Sequence, residues 1–153
     1  MSQSITDRIP LGKSGLSVTR VSFGTAGLGN MPETFGFAVS DKEAEETLAA
    51  VFKSPINSLD TSRNYGMGEA ERRIGRAIKA NGGLPKDFVL ATKLDRDFQT
   101  NKFDASRARR SLEESLQALG VDRIPLLHFH DPEYASSLED VTRRVARLMN
   151  CSK

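Results

Sequence analysis

The chain has 153 residues, 38% hydrophobic and 27% charged, with a formal net charge of +2. That length supports one domain with a genuine core, and the near-balanced charge gives no reason to expect a nucleic-acid partner. No apolar run approaches membrane-spanning length, residues 1–7 lack the apolar core of a secretory leader, and the lone Cys151 cannot build a disulfide framework, so the expectation is a cytoplasmic protein with no membrane partner.

From the N-terminus, Ile9-Pro10-Leu11 and Leu16-Ser17-Val18 flank the turn-rich Gly12-Lys13-Ser14-Gly15, which predicts a β-hairpin. Val21 to Gly24 reads as a strand. The loop from Gly24 to Asn30 follows; its glycines lack the G-x-G-x-x-G order of a dinucleotide fingerprint and read as a flexible βα connection. Ser40-Asp41-Lys42-Glu43 is a capping-box pattern, and behind it Ala44, Leu48, Val51 and Phe52 recur at helical spacing until Pro55.

The alternation then repeats. A second strand runs from Ile56 to Asp60, followed by a helix from about Glu69 to Ala80 with Ile74, Ala77 and Ile78 inward. A third strand, Phe88 to Thr92, leads to a helix beginning near Asp104, with Leu112, Leu116 and Leu119 on one face and Gly120 at its end. Arg107, Arg109 and Arg110 beside Glu113 and Glu114 read as a solvated face of that helix. The fourth strand, Ile124 to Phe129, precedes a helix from Ser137 with Val141, Val145 and Leu148 inward. Strand and helix in alternation imply an α/β fold with a parallel sheet, about four βα units preceded by the hairpin.

Chemistry gathers at the strand ends. Asp60-Thr61-Ser62-Arg63-Asn64-Tyr65-Gly66 follows the second strand, Lys93 closes the third and His130 the fourth. In a parallel β/α architecture the C-terminal strand ends face the same way, so these groups can converge. Together, D-T-S-R-N-Y-G with Glu69 and E-R-R-I-G-R-A-I behind it, Lys93 in A-T-K and His130 in H-D-P resemble the aldo-keto reductases over residues 9–142. S-R-N-Y-G and H-D-P-E resemble the bacterial aldose dehydrogenase branch, whose substrates include fucose.

The resemblance implies a TIM-barrel fold and NAD(P)-dependent interconversion of a carbonyl (aldehyde, ketone or aldose) with an alcohol or lactone. It assigns Asp60, Tyr65, Lys93 and His130 as the catalytic tetrad, with Tyr65 as acid/base and His130 orienting the substrate oxygen. It places Gly24, Thr25 and Asp60 at the nicotinamide side of NADP or NAD, and requires no metal. An ammonium beside a phenol favours the phenolate, so the Lys93–Tyr65 pairing suits proton transfer.

A full (β/α)8 barrel typically needs about 250 residues. The expectation is therefore one partial domain over 1–153, the N-terminal half of a barrel, with the main cofactor grip in the other half and weak or no activity by itself. Open sheet edges make self-association the expected consequence. Residues 143–153 depart from the resemblance, and two origins stay open: a frameshift, or a natural helix with a basic outer face. Pro125 departs too, tolerable at a strand start. His128 lies two residues before His130, hence on the same strand face, and reads as a satisfied interior histidine. A metal hydrolase built on His128, His130 and Asp131 is a weak rival, because Asp131 faces away from both histidines if the strand continues and catalytic zinc usually wants three protein ligands. A non-catalytic binding or regulatory barrel module is the other alternative.

Overall fold

The computed structural model describes residues 4–135, 137, 139, 142 and 143. The helix predicted from Ser137 and the divergent tail fall largely outside them. The predicted hairpin is present: β1 (Arg8–Pro10) pairs antiparallel with β2 (Ser17–Thr19). Four parallel strands follow, β3 (Phe23–Gly24), β4 (Ser58–Asp60), β5 (Val89–Leu94) and β6 (Leu126–Phe129), in the sheet order β3-β4-β5-β6. Each is trimmed at its N-terminal end relative to expectation. Pro125 consequently lies just before β6, where its missing N–H breaks no ladder bond.

Helices cover one face of the sheet. The short α1 (Pro32–Phe35) is followed by α2 (Asp41–Lys53), α3 (Glu69–Ala80) and α4 (Ala105–Leu119). The capping box is real in α2, where the Ser40 side chain takes the Glu43 N–H and the Glu43 carboxylate takes the Ser40 N–H at 2.8 Å. Asp104 caps α4 by accepting from the Arg107 N–H at 2.9 Å, and Gly120 ends it. The spacing read from the sequence sets the inward faces: Ala44, Leu48, Val51 and Phe52 of α2 and Ile74, Ala77 and Ile78 of α3 meet Leu59 and Leu90 of the sheet in one core. A buried full-sized apolar side chain contributes roughly 1.5–3 kcal/mol, so this layer is what holds the strand ends in place.

The strands alternate in the ordinary way, and this separates scaffold from site. Leu59, Leu90 and Leu94 turn towards the helices and are buried. Their neighbours Asp60, Ala91 and Lys93 turn to the concave face, beside Leu126 and His128. Asn57 joins the hairpin to this sheet: its Oδ1 accepts from the Thr19 N–H at 2.7 Å, and its Nδ2 donates to the Ser17 and Asp87 carbonyls at 2.9 and 3.0 Å.

Two readings of the sequence are revised. The loop after β3 is a packed 3-10 turn over Ala26–Gly29, with Leu28 and Gly29 buried. It is held by Arg73 of α3, whose guanidinium donates to the Leu28 and Val39 carbonyls and to Asp41. Gly29 also lies directly against Gly66, so close that a Cβ on Gly66 would stand 1.8 Å from the Gly29 oxygen. Arg107, in turn, leaves the solvated face of α4. It binds Glu114 at 2.9 Å and reaches the Asp95 carbonyl at 3.0 Å, while Arg109 and Arg110 stay exposed.

Candidate active site

The strand ends bring Asp60, Tyr65 and Lys93 into contact. Lys93 projects from β5 between Thr92 and Leu94, which point into the helical layer, so strand alternation aims its ammonium at the concave face. There Nζ donates to Asp60 Oδ2 at 2.7 Å, to the Thr61 carbonyl at 2.8 Å and to the Tyr65 hydroxyl oxygen at 3.1 Å. An ammonium has three protons, and all three are used. The Tyr65 oxygen thus accepts from Lys93, which leaves the phenol's own proton to point elsewhere.

His130 completes the group from the end of β6, its N–H bonded to the Leu94 carbonyl at 3.1 Å. Its ring stands edge-on to Tyr65 with centroids 6.2 Å apart. Its Nδ1 meets Asp95 Oδ1 at 2.5 Å, and the Ser62 hydroxyl lies 3.2 Å from the same nitrogen. The hydrogen bond to Asp95 holds the His130 imidazolium above the usual histidine range; partial burial opposes it, and the charges of Asp95 and Asp131 assist. Asp95 is 1% exposed and also receives the Ser62 hydroxyl at 3.0 Å and the Asn64 N–H at 3.2 Å on Oδ2.

The residues expected at the cofactor divide. Gly24 pairs in register with Asp60, and a Cβ there would meet nothing within 4 Å, so open space adjoins the Asp60–Lys93 pair. Thr25 is fully buried, and its hydroxyl and N–H both donate to the Asp60 carbonyl, at 2.9 and 3.1 Å. It holds the loop to β4 with its polar atoms turned inward.

Asp131 and His128 are placed differently from expectation, and Glu69 and Glu71 take contrasting environments. Glu69 sits at the mouth of α3, bound to Arg72 at 2.7 Å. Among the described residues, Glu71 is the glutamate that the fold buries: its Oε1 takes the Thr92 hydroxyl at 2.7 Å, and none of them hydrogen-bonds its Oε2. Burial pushes the Glu71 carboxyl up, against the Thr92 bond and a Ser115 hydroxyl that falls short of hydrogen-bond geometry. Asp131 turns back because β6 stops at Phe129 and Asp131 adopts φ 48; its carboxylate stands 3.9 Å from His130 Nε2 and 3.5 Å from Arg96. His128 shares the concave face with Lys93 but is exposed, and none of the described residues hydrogen-bonds it, since no layer covers that face among them.

The sequence model of the aldo/keto reductase family matches residues 20–150. The chain belongs to the aldo/keto reductase family. It is 36% identical over 138 residues to the L-galactose dehydrogenase of Arabidopsis thaliana, covering 90% of this chain and 42% of that protein. It is 32% identical over 145 residues to a D-threo-aldose 1-dehydrogenase from Pseudomonas, covering 78% and 42% respectively. Among solved structures, a thermostable aldo-keto reductase in complex with the inhibitor epalrestat superposes with a TM-score of 0.77 at 26% identity, over 94% of this chain and 50% of that one. The holo form of an aldo-keto reductase from Bacillus halodurans shares the fold, with a TM-score of 0.74 at 24% identity over 94% and 46%. The chain thus spans about half the length of the relatives it matches, and its parallel sheet and helices correspond to about half of their barrel.

Asp95, Ser62 and Glu71 are not among the residues that the sequence pattern assigns to the site, although each leaves a signal there. Asp95 follows Lys93 by two, which at the end of β5 places both on one face, and Ser62 lies two residues after Asp60 in the loop beyond β4. Glu71 precedes Ile74 by three and Ile78 by seven, the spacing of one buried helical stripe.

Proposed function

We propose that Asp60, Tyr65, Lys93 and His130 carry out the acid–base chemistry of an NAD(P)-dependent carbonyl–alcohol interconversion, with an aldose or another small carbonyl compound as substrate. The observation that supports this reading most is the saturated Lys93 ammonium. It donates to the Tyr65 oxygen, so the Tyr65 proton is free to face a substrate oxygen. NADP or NAD, when bound, supplies or takes the hydride, because no side chain can. Gly24 and Asp60 would border its nicotinamide, as the open space beside Gly24 supports.

The chain's own groups do the rest. In the reductive direction Tyr65 gives its proton to the carbonyl oxygen as that oxygen becomes a hydroxyl, and Lys93 stabilises the charge left on the phenol oxygen. Asp60 offsets the Lys93 charge at 2.7 Å and, with the Thr61 carbonyl, keeps its position. In oxidation the proton returns from the substrate hydroxyl to the Tyr65 oxygen. His130 meets the same substrate oxygen from its other side and orients it. The names of the aldose and galactose dehydrogenase relatives favour sugars as substrates.

The test is NAD(P)-dependent oxidation of a panel of aldoses by wild type and Tyr65→Phe. Loss of the acid/base group should cut turnover by about 10²–10⁴-fold with folding unchanged. Near-normal turnover by the variant would sink the assignment. The concave face, which no layer covers among the described residues, favours a second reading, a binding module: absent turnover in wild type together with a stable complex with a second protein would select it.

A further inference from the structure

The geometry points to Asp95 as a positioning residue: it takes the Nδ1 proton of His130 and so makes Nε2 the atom that meets the substrate oxygen. This rests on the reading above that His130 faces the reacting oxygen, and it adds the group that decides how. An ionised carboxylate can only accept. With Asp95 Oδ1 at 2.5 Å from Nδ1, the shared proton belongs to Nδ1, and the neutral ring must be the Nδ1–H tautomer. Nε2 then carries a lone pair when the ring is neutral and a proton when it is cationic. In the cationic state Nε2–H donates to the substrate oxygen, carbonyl or hydroxyl, and leaves a hydroxyl's single proton for Tyr65; in the neutral state Nε2 can only accept.

Asp95 is built for one orientation. Its Oδ2 side receives the Asn64 backbone N–H at 3.2 Å and the Ser62 hydroxyl at 3.0 Å, so both carboxylate oxygens are occupied by donors. Its own N–H donates to Ser111 Oγ at 2.9 Å, and its carbonyl accepts from Arg107 at 3.0 Å. Ser62 is not a nucleophile activated by His130, because it approaches Nδ1, the nitrogen already committed to Asp95. The other charged groups around the ring are Asp131, 3.9 Å from Nε2, and Lys93, which opposes its protonation.

The substitution Asp95→Asn tests this directly. The Asn64 N–H cannot reverse, so the amide oxygen should face it and the NH2 should face His130, forcing Nδ1 to accept. The neutral ring would flip to Nε2–H, the wrong-tautomer outcome known for asparagine in place of a histidine-orienting aspartate. The chain has only two histidines, so long-range 1H–15N NMR correlations of the imidazoles resolve both, and His128→Gln assigns them. The expected result is Nδ1–H in wild type and Nε2–H in the variant, with the His130 titration midpoint moved to lower pH. An unchanged tautomer and midpoint in the variant would overturn the inference. If the variant does not fold, wild type alone decides, since an Nε2–H ring there overturns it as well. The tautomer is read without turnover, so an inactive chain that still shows the switch supports the positioning role while the catalytic reading fails.

Discussion

Gly66→Ala should damage this protein through one contact, and the structure permits the size of the effect to be worked out. Gly66 follows Tyr65 and adopts φ +61, a region where a side chain costs about 1–2 kcal/mol. Its Cβ would also stand 1.8 Å from the Gly29 carbonyl oxygen and 2.6 Å from the Gly29 carbonyl carbon. Both are backbone atoms, so no side chain can swing away and the loop must move by more than an ångström. Relief of such overlap typically costs about 1–3 kcal/mol. The two terms together give about 2–5 kcal/mol, which for a chain of this size lowers the melting temperature on the order of 10 °C.

Gly12→Ala is the matched control. Gly12 also has a positive φ, +55, yet a Cβ there would meet nothing within 4 Å. Backbone strain and the entropy that alanine removes from the unfolded chain are common to both variants, so their difference isolates the Gly29 contact. Thermal unfolding followed by circular dichroism should show Gly66→Ala melting several degrees below Gly12→Ala. If the two melt together, the close packing of these loops is not what holds Tyr65 in position, and the argument is refuted.

Two further perturbations test the scaffold and the buried acid. Asn57→Ala removes three side-chain hydrogen bonds at about 1 kcal/mol each and strands the buried Thr19 N–H, so chemical denaturation should show a loss of about 2–4 kcal/mol; a loss below 1 kcal/mol would mean that the hairpin is not anchored there. Glu71 has a carboxyl raised by burial, so the folded state holds its proton where the unfolded chain has released it, and stability must fall as pH rises from about 4.5, the ordinary glutamate value, through the raised folded value. Glu71→Gln keeps a group that can accept from Thr92 and removes this titration. Its melting temperature should therefore decline less between pH 4.5 and neutrality than that of wild type, and parallel pH profiles would show Glu71 to be ionised at no cost.

Much of the architecture was legible from local pattern. The Ser40–Glu43 box, the Asp104 cap, Gly120 at the end of α4 and the apolar spacing of α2 and α3 are near-neighbour effects, and each appears where the residues place it. The strands were read too long at their N-terminal ends. Ladder bonds need a partner, and the short β3 and β4 offer partners over only a few positions. The glycine loop was read as flexible because its rigidity comes from Arg73 and Gly66, 45 and 37 residues away from Leu28 and Gly29.

The sequence by itself determined which groups stand at the strand ends: Asp60 with Tyr65, then Lys93, then His130. Strand position and period-two alternation are written in neighbouring residues. Only the tertiary structure decided what those groups are bonded to. It spent all three Lys93 protons, turned Thr25 inward, buried Glu71 and put Asp95 against Nδ1 of His130. Hydrogen-bond partners and desolvation depend on residues brought together from distant parts of the chain, and those set the proton positions on which the chemistry turns.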